Sequence, residues 1–443
     1  MKKAEKKKVF YWLLGNNLVA SITNSTVWFA IIFFAYLETQ SVLVNSVLGG
    51  LYLVVVSISG FWLGSLVDHS KKKSIMLASS AFSLLMYSLC LGLYLTAAPG
   101  EFASLESVRL WAMAVLALLG SIAGNLRSIA MPTLVTLLFA PKERERANGL
   151  VGTIFGVSIL TTSVISGLLV GRAGMQWVFL FAILLTLIAI AHLWTIKVPE
   201  NEIVHVEGAS KSVDLRGTYK LVAGVPGLLA LILFTTFNNL LGGVFMALMD
   251  AYGLSMMSVE AWGLLWGVIS SGFILGGLLI ARFGLGGKPL RALFGANLVI
   301  WFVSALFTIQ PSIAFLAVGS LIYITVVPFI EAAEHTIIQR VVPQSRQGRV
   351  FGFAQSIELA AAPLTAFLIG PLAEFFFIPF MTDGAGVQLI GSWFGSGPAR
   401  GMALVFTVAG IIGFIVTLIA MRSRPYQLLA ARYARGEAKA SRA

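Results

Sequence analysis

The chain alternates long apolar runs with short polar breaks, about a dozen times over. A hydrocarbon core ~30 Å thick is crossed by ~20 apolar residues in helical form, so each run predicts one spanning helix. The first six predicted spans are Val9–Leu37, Val42–Val67, Ser74–Thr96, Leu110–Leu138, Leu150–Val170 and Trp177–Thr195. The second six are Leu228–Met249, Trp262–Ile280, Leu290–Phe307, Ile313–Gln339, Phe351–Phe377 and Met402–Met421. The expected fold is an all-α polytopic membrane protein, with 12 transmembrane helices in two pseudo-symmetric six-helix bundles. The bundles cover residues 1–196 and 223–423. A cytoplasmic linker at 197–222 joins them, and a basic cytoplasmic tail follows at 424–443. Ile378–Pro398 reads as the longest external loop, rich in Gly and aromatics.

Composition agrees with that pattern. Of 443 residues, 58% are apolar and only 11% charged. A soluble domain carries about 25% charged residues, so a water-soluble fold is excluded. The net charge of +12 would suggest nucleic acid in a soluble chain. Here the cations sit in short loops and tails, where they set topology and meet anionic headgroups. All but four of the 31 Lys and Arg fall on one side of the predicted spans, the side retained in the cytoplasm. Arg109, Arg172 and Arg400 fall on the other side, and Arg127 lies within span four. The basic N-terminus resembles a signal-peptide leader. The apolar run behind it is too long for one, so it reads as span one with its amino end inside. A lone Cys90 permits no internal disulfide and no thiolate metal cluster.

The two halves repeat. Pro132 through Arg144 aligns without gaps to Glu334 through Arg346, and Gly64 through His69 aligns to Gly277 through Arg282. Weak symmetry between parallel halves is a transporter signature. The loop after span two reads Gly64-Ser65-Leu66-Val67-Asp68-His69-Ser70-Lys71-Lys72-Lys73. Gly64 lets two helices approach closely, Asp68 sits where a helix end meets water, and Lys72 and Lys73 stay with the headgroups. This loop resembles the signature loop of the major facilitator superfamily. It departs from the usual pattern at His69, where Arg or Lys is common, and at Lys71, where Gly is common.

The resemblance covers the whole chain. Within the superfamily it is nearest to the macrolide-efflux-like and enterobactin-exporter-like branch, through Gln339–Pro343, Gly348–Phe351 and Gly395–Gly401. It implies two bundles rocking about a central cavity lined by spans one, four, seven and ten. It also implies that Asp68 locks one state by contacting the other half near span eleven.

Polar side chains inside a hydrophobic span need a partner or water. Spans one, four, seven and ten carry such groups at helical spacing. They are Asn17, Ser21, Asn24 and Trp28; Ser121, Asn125, Ser128 and Pro132; Thr235, Asn239, Gly242 and Met246; and Tyr323, Val327, Ile330 and Glu334. Asn17, Ser21, Asn24, Trp28, Asn125, Ser128, Asn239, Met246 and Tyr323 are therefore the expected cavity residues. Interhelical packing is the bland alternative for any one of them. Glu331, Glu334 and His335 share one side of span ten, Glu358 lies about two turns into span eleven, and Arg127 is far from either end of span four. These five are candidates for proton coupling, with structural ion pairing as the alternative. Glu334, on the polar stripe, is preferred.

The expected function is secondary active transport by alternating access: a proton-coupled exporter, or antiporter, of amphipathic or hydrophobic organic compounds. A lipid or lipid-linked-glycan flippase and a proton-coupled importer are the alternatives. No phosphate loop, nucleophile elbow or metal-ligand spacing is present, so neither an enzyme nor direct use of ATP is expected, and no cofactor or metal. The expected partners are a small amphipathic or lipid-like substrate, protons and membrane lipids, with the protein a monomer in the cytoplasmic (inner) membrane.

Overall fold

Lipid offers no partner for backbone N–H and C=O groups, so each apolar run satisfies them internally by folding as a helix. In a computed structural model, all residues are described except 1–2, 40–41, 105, 171–173, 200–214, 258 and 441–443. The described residues form helices and no strand. Arg172, Lys211 and most of the predicted linker lie outside the described residues.

Spans one to three are α1 (Lys3–Thr39), α2 (Val42–Asp68) and α3 (Lys72–Leu95). Span four is divided at Gly124 into α4 (Val108–Ala123) and α5 (Asn125–Leu138). Spans five and six are α6 (Arg144–Leu168) and α7 (Met175–Thr195). A short helix, α8 (Leu215–Gly224), occupies the end of the predicted linker. Spans seven to ten are α9 (Leu228–Leu254), α10 (Val259–Phe283), α11 (Pro289–Leu306) and α12 (Ile313–Val341). Span eleven comprises α13 (Gln347–Leu359) and α14 (Ala361–Leu372), continued by one π-helical turn at Ala373–Phe377. The segment expected as an external loop is instead helical, as α15 (Ile378–Thr382) and α16 (Ala385–Phe394). Span twelve is α17 (Pro398–Arg422), and the tail is the amphipathic helix α18 (Arg424–Ala440). Among the described residues, ten helices are long and apolar enough to cross a membrane. There are eleven if the pair Leu368–Thr382 and Ala385–Phe394, bent by 74°, is one span.

The break in span eleven has a local cause. Pro363 has no N–H, so the carbonyl of Leu359 loses its helical partner, and the helix interrupts at Ala360. Apolarity alone does not reveal this, because the run stays hydrophobic across the break.

The chain forms two compact units. The first is Met1–Ala147, Ile154–Thr218 and Val342–Ser356; the second is Asn148–Thr153, Tyr219–Val341 and Ile357–Ala443. Each unit thus includes a short segment from the other half of the sequence. Within the first, α3 packs on span four and α7, α1 on α7, and α2 on span four. Within the second, α11 packs on α12 and α17, α9 on α17, and α10 on α12. Third on fourth and sixth, first on sixth, second on fourth: the same pairing occurs in both, as expected of a duplicated six-helix unit.

Candidate functional site

Gly64, Asp68, His69, Lys72 and Lys73 of the sequence motif each make specific contacts in the first unit. Asp68 ends α2 and places its carboxylate at the start of α13. Its Oδ1 accepts from the Gly348 N–H at 2.6 Å, and its Oδ2 from the Arg349 N–H at 2.8 Å. The first N–H groups of a helix lack intrahelical partners and carry the positive end of its dipole, so a carboxylate there is doubly favoured. Close approach makes this possible. A Cβ on Gly64 would lie 2.5 Å from the Gly348 carbonyl, and one on Gly348 would lie 2.5 Å from Asp68 Oδ1.

His69 completes the arrangement. Its Nδ1 faces the Ser65 carbonyl at 2.8 Å, which fixes Nδ1 as the donor. Nε2 is then an acceptor, and Arg349 Nη2 reaches it at 2.9 Å. A Lys or Arg at position 69 would set like charges together, so the departure from the usual motif is matched by Arg349. Lys72 Nζ donates to the carbonyls of Val67 and Ser70. Lys73 Nζ donates to Trp194 and Ile196 at the carboxyl end of α7, where a cation complements the dipole.

Several polar-stripe residues of the first unit are held within it. Asn24 Oδ1 accepts from the Tyr87 hydroxyl at 2.6 Å, and the Asn24 carbonyl accepts from Ser121. The Ser158 hydroxyl donates to that of Ser21. Trp28 is buried and stacks on Tyr52 at 4.6 Å between ring centroids. Asn17 is half-buried, without a hydrogen bond among the described residues. Asn125 Nδ2 is shielded and has no partner among them. Ser128 is exposed; it donates to the Asn125 carbonyl and accepts from Gln355.

Arg127 is 3% exposed and held by neutral groups. It donates to Asn16 Oδ1 at 2.8 Å, Ser80 Oγ at 2.6 Å and the Met76 carbonyl at 3.4 Å. Asn16 Nδ2 in turn donates to the Ala189 carbonyl and lies 3.2 Å from His192 Nδ1. Span one, span three, span four and span six are thereby tied together. Arg127→Met leaves Asn16 Oδ1 and Ser80 without their charged donor. It is expected to destabilise the protein by on the order of 2 kcal/mol, seen as a lower unfolding temperature in detergent, with the pH dependence of transport unchanged.

The other four coupling candidates belong to the second unit. Glu331 is exposed, Glu334 is 6% exposed, and Glu358 and His335 are half-buried. The Glu334 carboxyl lies beside the Glu358 carboxyl and the Thr235 hydroxyl, close enough to interact with both, and that hydroxyl donates to the Leu231 carbonyl at 3.2 Å. The remaining oxygens, Oε1 of Glu334 and Oε1 of Glu358, are shielded and unpartnered among the described residues. No Lys or Arg forms an ion pair with any of the three carboxyls among the described residues; the ion pairs there are Lys7–Glu143 and Arg109–Glu101. Asn239 and Met246 are exposed on one face of α9. Tyr323 is half-buried, with its ring 5.6 Å from that of Phe245. Among the described residues no group of three His, Cys, Asp or Glu could hold a metal ion.

Residues 13–366 match the profile of the Major Facilitator Superfamily. The chain belongs to that superfamily. Its fold is similar to that of the human organic anion transporter MFSD10 (TETRAN), at TM-score 0.68 and 14% identity, covering 94% of this chain and 100% of the other. It is also similar to a bacterial homologue of the iron transporter ferroportin in its outward-facing state, at TM-score 0.65 and 16% identity, covering 94% and 100%. A third similar structure is the proton:xylose symporter XylE bound to 6-bromo-6-deoxy-D-glucose, at TM-score 0.66 and 12% identity, covering 94% and 96%. No curated protein matches the chain by sequence. The protein is thus a polytopic membrane protein with a transporter fold.

Residues that the stripe pattern passed over include Asn16, Ser80 and Asn238. A signal for two of them is present in the sequence. Asn16-Asn17-Leu18 in span one recurs as Asn238-Asn239-Leu240 in span seven. In each pair the first Asn takes a buried donor: Arg127 for Asn16, and Trp301 Nε1 for Asn238. The second Asn is half-buried in span one and exposed in span seven.

Proposed function

We propose that this member of the superfamily is a proton-coupled exporter of amphipathic, hydrophobic organic compounds. It works by alternating access in the cytoplasmic (inner) membrane with both termini in the cytoplasm, and it performs no covalent chemistry. The observation that carries the coupling is the Glu334–Glu358 pair. Two carboxyl groups can hydrogen-bond to each other only when one of them holds a proton. Among the described residues the pair has no cationic partner, so a proton is the charge that the second unit itself can take up and release there.

The cargo reading rests on the exposed faces. Asn239 and Glu331 are exposed within spans, where a polar side chain requires water rather than lipid. Met246, 81% exposed, continues the Asn239 face, and the half-buried Tyr323 adds aromatic surface in the same unit. A wet pathway with soft apolar and aromatic lining suits molecules that are themselves amphipathic. The similar structures carry organic anions, iron and a sugar by their names, so cargo follows from side chains and not from the fold.

Inverted vesicles test the reading. With the lumen acidic, amphipathic dyes are expected to accumulate at least tenfold inside, and a protonophore is expected to abolish this. Accumulation indifferent to the protonophore overturns the coupling. Movement in the opposite direction identifies an importer, and translocation of labelled lipid in place of dye identifies a flippase.

A further inference from the structure

The helix ends around α17 and α18 carry cations and almost no anions. Lys288 and Arg291 lie at the start of α11, Arg422 closes α17 and Arg424 opens α18. None of these four makes an ion pair among the described residues. The three helices contain a single carboxylate, Glu437, more than three turns from Arg424. Among the described residues, these three helices place no carboxylate beside the cations of this corner.

The cations converge in height. α11 and α17 pack antiparallel, with Gly410 against Ser304 and Ala305 and Gly413 against Trp301. That register sets Arg422 level with Arg291. Phe294, three residues on from Arg291, meets the Tyr426 ring edge-on at 4.9 Å, so the first turn of α18 closes over the same corner. Beside Arg422, running toward the membrane interior, is an open groove of about 530 Å³ lined by Ile415, Leu418, Ile419, Arg422 and Ser423. Ile415 and Ile419 are 50% and 64% exposed. Gly295, exposed on α11 at the same height, leaves open space where a side chain would stand.

We propose that this corner of the second unit binds an anionic phospholipid of the adjacent leaflet. One acyl chain lies along Ile415, Leu418 and Ile419, and the phosphate sits among Arg422, Arg291 and Arg424. An apolar stem that ends in cations complements a lipid whose chain ends in a phosphate. With no carboxylate from these three helices beside the cations among the described residues, a headgroup that carries its own cation is disfavoured. The site is separate from the Glu334–Glu358 pair, and it stands or falls independently of the proposed coupling.

Native mass spectrometry of the purified protein tests this, in mixed micelles holding equal phosphatidylglycerol and phosphatidylcholine. The wild-type chain is expected to retain phosphatidylglycerol at least fivefold over phosphatidylcholine. Arg291→Gln combined with Arg422→Gln is expected to remove that preference, and Arg109→Gln, elsewhere on the protein, to keep it. Ile419→Trp, which fills the groove without altering charge, is expected to lower total retained lipid severalfold. It also decides the matter if the double variant does not fold. Equal retention of the two lipids by wild type, or undiminished retention in both groove variants, overturns the site.

Discussion

Glu334→Gln is expected to abolish accumulation driven by a pH gradient while substrate exchange without a gradient continues. The amide keeps the shape of the side chain and its place beside Glu358 and Thr235. It cannot gain or lose a proton, so the step that ties substrate movement to proton movement is removed and the pathway is not. An uncompensated charge in the bilayer costs at least ~2.5–3.5 kcal/mol, which corresponds to a factor of about 10² in the population of the deprotonated, reorienting form. Driven accumulation in Glu334→Gln vesicles should therefore fall about 100-fold, to near background. Glu358→Gln should behave alike, because it also leaves one carboxyl beside an amide. Glu331→Gln should have a smaller effect, since Glu331 is exposed and stands outside the Glu334–Glu358 pair. The measurement is dye uptake with and without a gradient, beside counterflow at equal pH on both sides. Full gradient-driven uptake by Glu334→Gln would show that the proton, if any, binds elsewhere.

Arg127 and Glu334 look equivalent in sequence: each is one ionisable group within a hydrophobic run. The structure separates them by what they touch. Arg127 has Asn16, Ser80 and a backbone carbonyl, three neutral acceptors from two other helices. Glu334 has another carboxyl. Hydropathy reports length and apolarity, and these sufficed for the spans, because a helix crossing lipid is fixed by those two quantities alone. Which face a polar group takes depends on helix rotation and register, and neither leaves a mark on local composition. Arg400 makes the point again. Sequence sets it on the external side, as one more charge near a span end. It is in fact 4% exposed, donating to the carbonyls of Phe394 and Ile309 and to the Tyr252 hydroxyl, with its guanidinium 4.2 Å from the Phe394 ring centre. It pins α16, α9, the turn before α12 and α17 together, and only the folded chain brings those four segments to one point. The loop after span two was more legible, since Gly64, Asp68 and His69 act within a few residues of one another. Their partners in α13, Gly348 and Arg349, were not.

Asp68→Asn is expected to slow transport at least tenfold and to loosen the attachment of α13 to α2. Two short hydrogen bonds from adjacent backbone N–H groups reach two oxygens of one carboxylate. An asparagine offers one oxygen to one N–H and turns an NH₂ toward the other, so a donor faces a donor. It also removes the negative charge from the helix N-terminus. Bonds to a charged group contribute about 1.5–3 kcal/mol, and losing one of them shifts a two-state balance by a factor of about 10 to 100. Asp68→Glu should not recover the function, because the close packing of Gly64 on Gly348 leaves no room for a longer side chain to fold back. Gly348→Ala acts on the same contact from the opposite side. Its Cβ would lie 2.5 Å from Asp68 Oδ1, so the alanine should reproduce the Asp68→Asn defect with the carboxylate still present. Lys71→Gln is the control. Lys71 is exposed in the same loop and should retain near-wild-type transport. The attachment can be read directly from hydrogen exchange at the Gly348 and Arg349 amides, which should speed up in Asp68→Asn. A pair of normal transport rates in Asp68→Asn and Gly348→Ala would mean that this contact holds the fold and does not time the cycle. A slow rate in both, with faster amide exchange, would assign the cap of α13 to the conformational step itself.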